Sequence, residues 1–181
     1  QAWAFEAHDN PLDKLGWSGS TPHGSTSGFD HPNINNVVGG TWNSAAAAMT
    51  DITALIDAIE TSTNGAHTAT DILLPASARR LMQELVPNTS ISYAQLFATN
   101  NSGINLRYLQ VLDNYDGAGG KAALAFEKDP LNMSIEIPEA TNVLPGQPKD
   151  LHFKYPVTSK ATGLIVYRPL TMAVIKGITF A

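Results

Sequence analysis

Residues 163–180 read GLIVYRPLTMAVIKGITF, two strand-forming segments flanking the tight, charged sequence Tyr167-Arg168-Pro169. Branched and large apolar side chains fit a pleated, half-buried surface, so Gly163–Tyr167 and Met172–Ile175 read as strands. Proline has no N–H to give a ladder, and Pro169 interrupts the run between them. The stretch holds no residue pair suited to acid–base or nucleophilic chemistry. It reads as a closing structural element.

The same signature fills most of the second half, with Leu106–Leu112, Ala122–Glu127, Met133–Ile137 and His152–Val157 as further short strands. Asn114–Gly120 contains YDGAGG, which suggests a flexible hairpin tip. The first half differs in period. From Ser44 to Thr61, Ala48, Ile52, Leu55, Ile56 and Ile59 recur at helical spacing, and Asn64-Gly65 stops the helix. Asp71–Leu74 is a short buried strand. Pro75 is expected in the first turn of a second helix, with a stripe of Ala78, Leu81, Met82 and Leu85, ending before Pro87. Ser90 or Ser92 caps a third, short helix through Phe97. Helices gathered first and strands second give an α+β class with a mainly antiparallel sheet. A doubly wound nucleotide fold would repeat βα units to the end of the chain, and these are absent.

The 181 residues suffice for one core, or one core with a lobe sharing its sheet. Hydrophobic residues make up 43% and charged residues 15%, a low charge content that suggests part of the surface faces a partner. The net charge of -5, with dispersed Lys and Arg, offers no general attraction for nucleic acid or anionic membrane. Cysteine is absent, which excludes disulfides and thiolate zinc sites. No apolar run approaches the roughly 20 residues that cross a bilayer. The first residue is Gln1, so a fragment or processed product is expected. Residues 1–43, rich in Gly, Ser, Asn and Pro, read as an arm or surface loop pinned by Trp3, Phe5, Trp17, Phe29 and Trp42.

Candidate chemistry is sparse. His8, His23 and His31 stand near Asp9 and Asp30 without the short fixed spacing of a metal site. Asp129-Pro130 reads as a turn in which the carboxylate accepts a backbone N–H. Ser18-Gly19-Ser20 and Gly24-Ser25 lack the strand-to-helix setting of a nucleophile elbow. Gly117, Gly119 and Gly120 precede Lys121 in a strand, so no helix N-terminus faces an anion there. Arg168 beside Pro169 reads as a structural pin between segments or as one half of an ion pair between subunits.

The order MTDITALIDAIE, a polar link, DILLPASARRLMQEL, a β-rich half and a closing YRPLTMAVIKGI resembles the major capsid proteins of tailed bacteriophages with the Hong Kong 97-type fold, over roughly Gly28 to Phe180. The resemblance implies an axial domain at 44–181, its sheet flanked by helices and its C-terminal strands returning towards a peripheral domain, with residues 1–43 in the peripheral region or a surface loop. The N-terminal arm, extended loop and spine helix of that family find no counterpart here. It further implies a non-enzymatic, cofactor-free subunit that self-assembles into an icosahedral shell around double-stranded DNA, without sequence-specific contacts. Partners would be identical subunits, with scaffold, portal or decoration proteins, in a virion capsid assembled in the bacterial cytoplasm. Contacts or structural roles fall to Gly117, Gly119, Gly120, Asp129, Pro130, Arg168 and Pro169. Two rival readings are a cellular nanocompartment shell of the same fold and an α+β binding module or hydrolase.

Overall fold

The computed structural model describes residues 31–115, 119–135, 139–149, 152–160 and 164–180. Two compact units emerge: Phe29–Met133 with Val166–Ala181 in one, and residues 134–165 in the other.

The larger unit is built on a six-stranded sheet. Its strands are β1 (Asn35–Val38), β2 (Thr41–Trp42), β3 (Asp71–Pro75), β4 (Asn105–Leu109), β5 (Lys121–Phe126) and β12 (Met172–Phe180). The order is β1-β12-β5-β3-β4, with β2 also paired to β12. The near-continuous apolar runs DILLP, AALAF and MAVI occupy the central positions, where both faces are covered. Ile72, Leu74, Ala123, Ala125, Ala173 and Ile175 share one core cluster. The alternate residues Leu73, Leu124 and Val174 are buried as well, on the opposite face.

The sheet is mixed. The expected antiparallel pairing holds for β12 with β5 and for β5 with β3, but β4 joins β3 in parallel, as do β1 and β2 with β12. The link from β3 to β4 contains two helices, α2 (Ala78–Met82) and α3 (Tyr93–Asn100), and is long enough for the crossover that parallel strands require.

The long helix α1 (Ala45–Ser62) buries Ala45, Ala48, Ile52, Leu55, Ile56 and Ile59, the stripe legible in its sequence. Ser44 Oγ accepts from Ala47 N, and Glu84 Oε2 accepts from Ala45 N at 3.1 Å, so a carboxylate meets the positive end of the helix dipole. Asn64 and Gly65 take positive φ, and Gly65 N donates to Glu60 O to close the C-terminus.

Several local expectations shift. Pro75 ends β3 rather than opening a helix, and α2 is a short piece, because Leu85 turns outward at 62% exposure and bridges to Ser92. Ser92 makes a capping box with Gln95 at the start of α3. The strand expected over Leu106–Leu112 stops at Leu109 and tightens into a 3-10 turn, Gln110–Asn114. β4 and β5 lie on opposite sides of β3, so these two strands do not form the hairpin expected around Asn114–Gly120.

β12 runs on to Phe180, well past the expected Ile175. At Gly177, φ +71, the register against β5 shifts between Lys176 and Ile178. This is the left-handed glycine of a β-bulge, and it keeps β12 paired through Thr179 and Phe180 to Thr41 and Trp42. Gly39 lets β1 and β2 follow the same neighbour, since a Cβ there would lie 2.1 Å from Ile175 Cγ2.

The smaller unit is made of short strands. β7 (Glu139–Val143) pairs antiparallel with β10 (Val157–Lys160), enclosing the hairpin of β8 (Gln147–Lys149) and β9 (His152–Lys154). β6 (Met133–Ile135) pairs with β11 (Leu164–Val166). The single strand expected over His152–Val157 is broken at Tyr155-Pro156, because proline cannot continue the ladder.

Candidate functional site

Asn132, 1% exposed, lies where β5 gives way to β6. Its carbonyl accepts from Tyr167 N at 2.9 Å and Arg168 N at 3.2 Å, tying the YRP segment to this turn. Asn132 Nδ2 donates to Glu127 Oε2 at 2.8 Å, and the same oxygen meets His67 Nδ1 at 2.5 Å. The turn before it is formed by Asp129, whose Oδ1 accepts from Leu131 N at 2.8 Å and whose carbonyl accepts from Asn132 N and Met133 N. Pro130 follows within that turn, where its fixed φ suits the geometry.

Arg168 is held by its backbone, not by its guanidinium. Its N–H goes to Asn132, while its carbonyl accepts from Thr171 N at 3.2 Å and Thr171 Oγ1 at 2.8 Å. Pro169 opens the 3-10 turn Pro169–Thr171. Leu170 O then accepts from Asn35 Nδ2 at 3.0 Å and Ser62 Oγ at 3.1 Å. The Arg168 side chain is exposed, and among the described residues the ion pairs are His67 with Glu127 and Arg107 with Asp71. Among the described residues the guanidinium makes no ion pair. It borders an open cleft of about 720 Å³ with Asn33, Thr63, His67, Tyr167 and Leu170.

Gly119 and Gly120 end the link into β5, and Gly117 lies outside the described residues, as do His8, His23, Asp9, Asp30, the serines at 18, 20 and 25, and the aromatics at 3, 5, 17 and 29. Gly119, at φ +91, donates its N–H to Asn114 Oδ1 at 2.7 Å, and Tyr115 N donates to Gly120 O at 3.0 Å. Close by in sequence, Asp113 accepts from Ser77 Oγ at 2.5 Å, and Lys121 Nζ donates to Ser77 Oγ at 3.3 Å while sitting 4.3 Å from the Phe180 ring centroid. This serine, aspartate and lysine tie the start of α2 to the start of β5, and no sequence signal placed them together. Their hydrogen bonds are exposed and the serine occupies no nucleophile elbow, so the arrangement fixes a surface instead of generating a nucleophile.

Among the described residues no three His, Cys, Asp or Glu side chains come together as a metal site. Burial pushes the Tyr108 phenol above its ordinary pKa, and the nearby Arg79 guanidinium partly offsets this. The arrangement can present rigid backbone segments and exposed side chains. Among the described residues it assembles no acid, base and nucleophile in one place.

The chain matches the family described as Major capsid protein over residues 2–178. No curated protein matches it. Among solved structures it is similar to the capsid of Myoviridae phage XM1, with a TM-score of 0.78 at 18% identity, covering 98% of this chain and 65% of that one. It is also similar to the capsid of an empty GTA particle, with a TM-score of 0.66 at 14% identity, covering 98% and 64%. A virus-like particle from Pyrococcus furiosus gives a TM-score of 0.61 at 12% identity, covering 82% and 58%. The chain thus spans 58–65% of the length of these structures, and at such identities the likeness shows the shared fold. With the family match extending over nearly its whole length, and a mixed sheet flanked by helices, this chain belongs to the major capsid protein family.

Proposed function

We propose that the protein is the major capsid subunit of a tailed phage or prophage, and that identical copies assemble into a closed icosahedral shell around double-stranded DNA. The observation that carries this is the family match over residues 2–178. In this reading Phe29–Met133 with Val166–Ala181 forms the axial domain, and residues 134–165 belong to the peripheral domain. The mechanism is geometric. One fold repeats in slightly different environments while its interfaces bury enough apolar area to offset the entropy lost on association. Gly119 and Gly120, at the end of the link into β5, and Gly117 earlier in the sequence of that link are assigned to contacts between copies, while Asp129 and Pro130 shape the turn that holds the YRP segment. Scaffold, portal and decoration proteins would meet the assembled shell, which forms in the host cytoplasm and persists in the virion.

Likeness to a virus-like particle favours one alternative, a nanocompartment that encloses protein cargo. Expression of the complete gene followed by negative-stain electron microscopy tests the shell reading. Uniform closed particles are expected, whereas a well-folded full-length protein that stays monomeric would count decisively against it. Nucleic acid or protein inside particles isolated from the natural host separates genome container from cargo container.

A further inference from the structure

The segment Tyr167–Leu170 combines exposure with rigidity. Tyr167 is 53% exposed and Leu170 45% exposed, and Arg168 between them is exposed with no carboxylate partner among the described residues. Their backbone is nevertheless fastened at several points, by Asn132 O to Tyr167 N and Arg168 N, by Thr171 to Arg168 O, and by Asn35 and Ser62 to Leu170 O. Tyrosine and arginine are the residue types that most often carry binding energy at protein interfaces. A backbone already fixed loses little further entropy when a partner arrives.

We propose that this segment and the cleft beside it are a preorganised docking site for a carboxylate-bearing segment of a second copy of this chain. The inference rests on the shell reading above and deepens it. Arg168 supplies a planar, always-charged fork that suits a carboxylate. His67 borders the same cleft with its Nδ1 already engaged by Glu127, which leaves Nε2 as its remaining polar atom. Tyr167 and Leu170 flank the cation with apolar surface that would exclude water from the pair. A second copy suits the site by charge, since each chain carries 16 Asp and Glu against 11 Lys and Arg.

The test uses shells assembled from the complete protein, mixing isotopically light and heavy chains that carry Arg168→Lys. A carbodiimide condenses an amine with a carboxylate, losing water, only when the two groups touch. The introduced lysine is expected in light–heavy linked peptides with an Asp or Glu of another copy. Links confined to single chains, or none at the introduced lysine while other lysines react, would overturn the proposal. A second arm uses Arg168→Gln, which keeps the fold because the guanidinium forms no ion pair among the described residues. Its particle yield is expected to fall about tenfold, in line with loss of one partner from an interfacial charge pair. Assembly of Arg168→Gln equal to the parent at every salt concentration would overturn the proposal as well. If the unmodified complete protein forms no particles, the shell reading fails first, and that result is distinguishable from either of these.

Discussion

The indole Nε1 of Trp42 donates to Asp51 Oδ2 across 2.7 Å, and Gly40 N donates to the same oxygen at 3.0 Å. One carboxylate on α1 thereby fixes β2 and the glycine link before it. Trp42, 1% exposed, also stacks edge-on against Phe180 with ring centroids 5.6 Å apart, so this hydrogen bond helps seat the last strand of the sheet.

Asp51→Ala leaves the buried indole N–H and the Gly40 N–H without their acceptor. It is expected to destabilise the fold by about 2–4 kcal/mol. Asp51→Asn keeps an acceptor oxygen and should lose less. Chemical denaturation of both variants, followed by tryptophan fluorescence, checks the order.

A Cβ added at Gly177 would meet nothing within 4 Å, so the cost of Gly177→Ala is backbone strain alone. At φ +71 that strain is expected at about 1–2 kcal/mol. Replacing Gly103, which lacks the positive φ and also has open space, should cost much less. A denaturant midpoint for Gly177→Ala matching that of Gly103→Ala would show that the bulge is not what demands glycine.

Leu55 is fully buried in the cluster that joins α1 to the sheet. Leu55→Ala removes apolar contact and leaves a cavity, with an expected loss of about 2–5 kcal/mol. Thr53, exposed on the same helix, provides the control, and Thr53→Ala should change stability by less than about 0.5 kcal/mol. Equal losses for the two variants, read from denaturant midpoints, would refute the assignment of Leu55 to the core.

Tyr108 has its pKa raised above 10.0, first by burial of the phenol and against the opposing effect of Arg79. The neutral phenol is therefore the form the fold prefers. Its contribution is complete below the unfolded value and is lost as pH rises through the folded one. Stability of the parent should fall more steeply in strong alkali than that of Tyr108→Phe. Parallel alkaline profiles for the two proteins would refute this.

The periodicity of Ala48, Ile52, Leu55, Ile56 and Ile59 located α1 almost to the residue, because a helix uses only near neighbours to decide which face is buried. Asp71–Leu74 read as a buried strand and Ala122–Glu127 as a strand for a similar local reason, while their central places in the sheet came from the fold. The closing YRP and KG were visible as unusual, and their causes are now apparent in the backbone bonds of Arg168 and the positive φ of Gly177. Pairing direction was not legible. Whether β4 runs parallel to β3, or β1 beside β12, depends on chain segments far apart in sequence, and no local period encodes that choice.

The candidate site divides along the same line. Residue type alone marked Arg168 and Pro169, but the bonds to Asn132 O, the engagement of Asn132 by Glu127 and the outward guanidinium arise from contacts across the fold. Most helices, strands and turns, together with the family resemblance, could be read from the order of residues, because short-range periodicity and turn chemistry are written in neighbouring side chains. Strand order, the mixed sheet and the exposure of Arg168 beside a fastened backbone emerged only on folding, because long-range packing satisfies backbone groups first and leaves the remaining side chains at the surface.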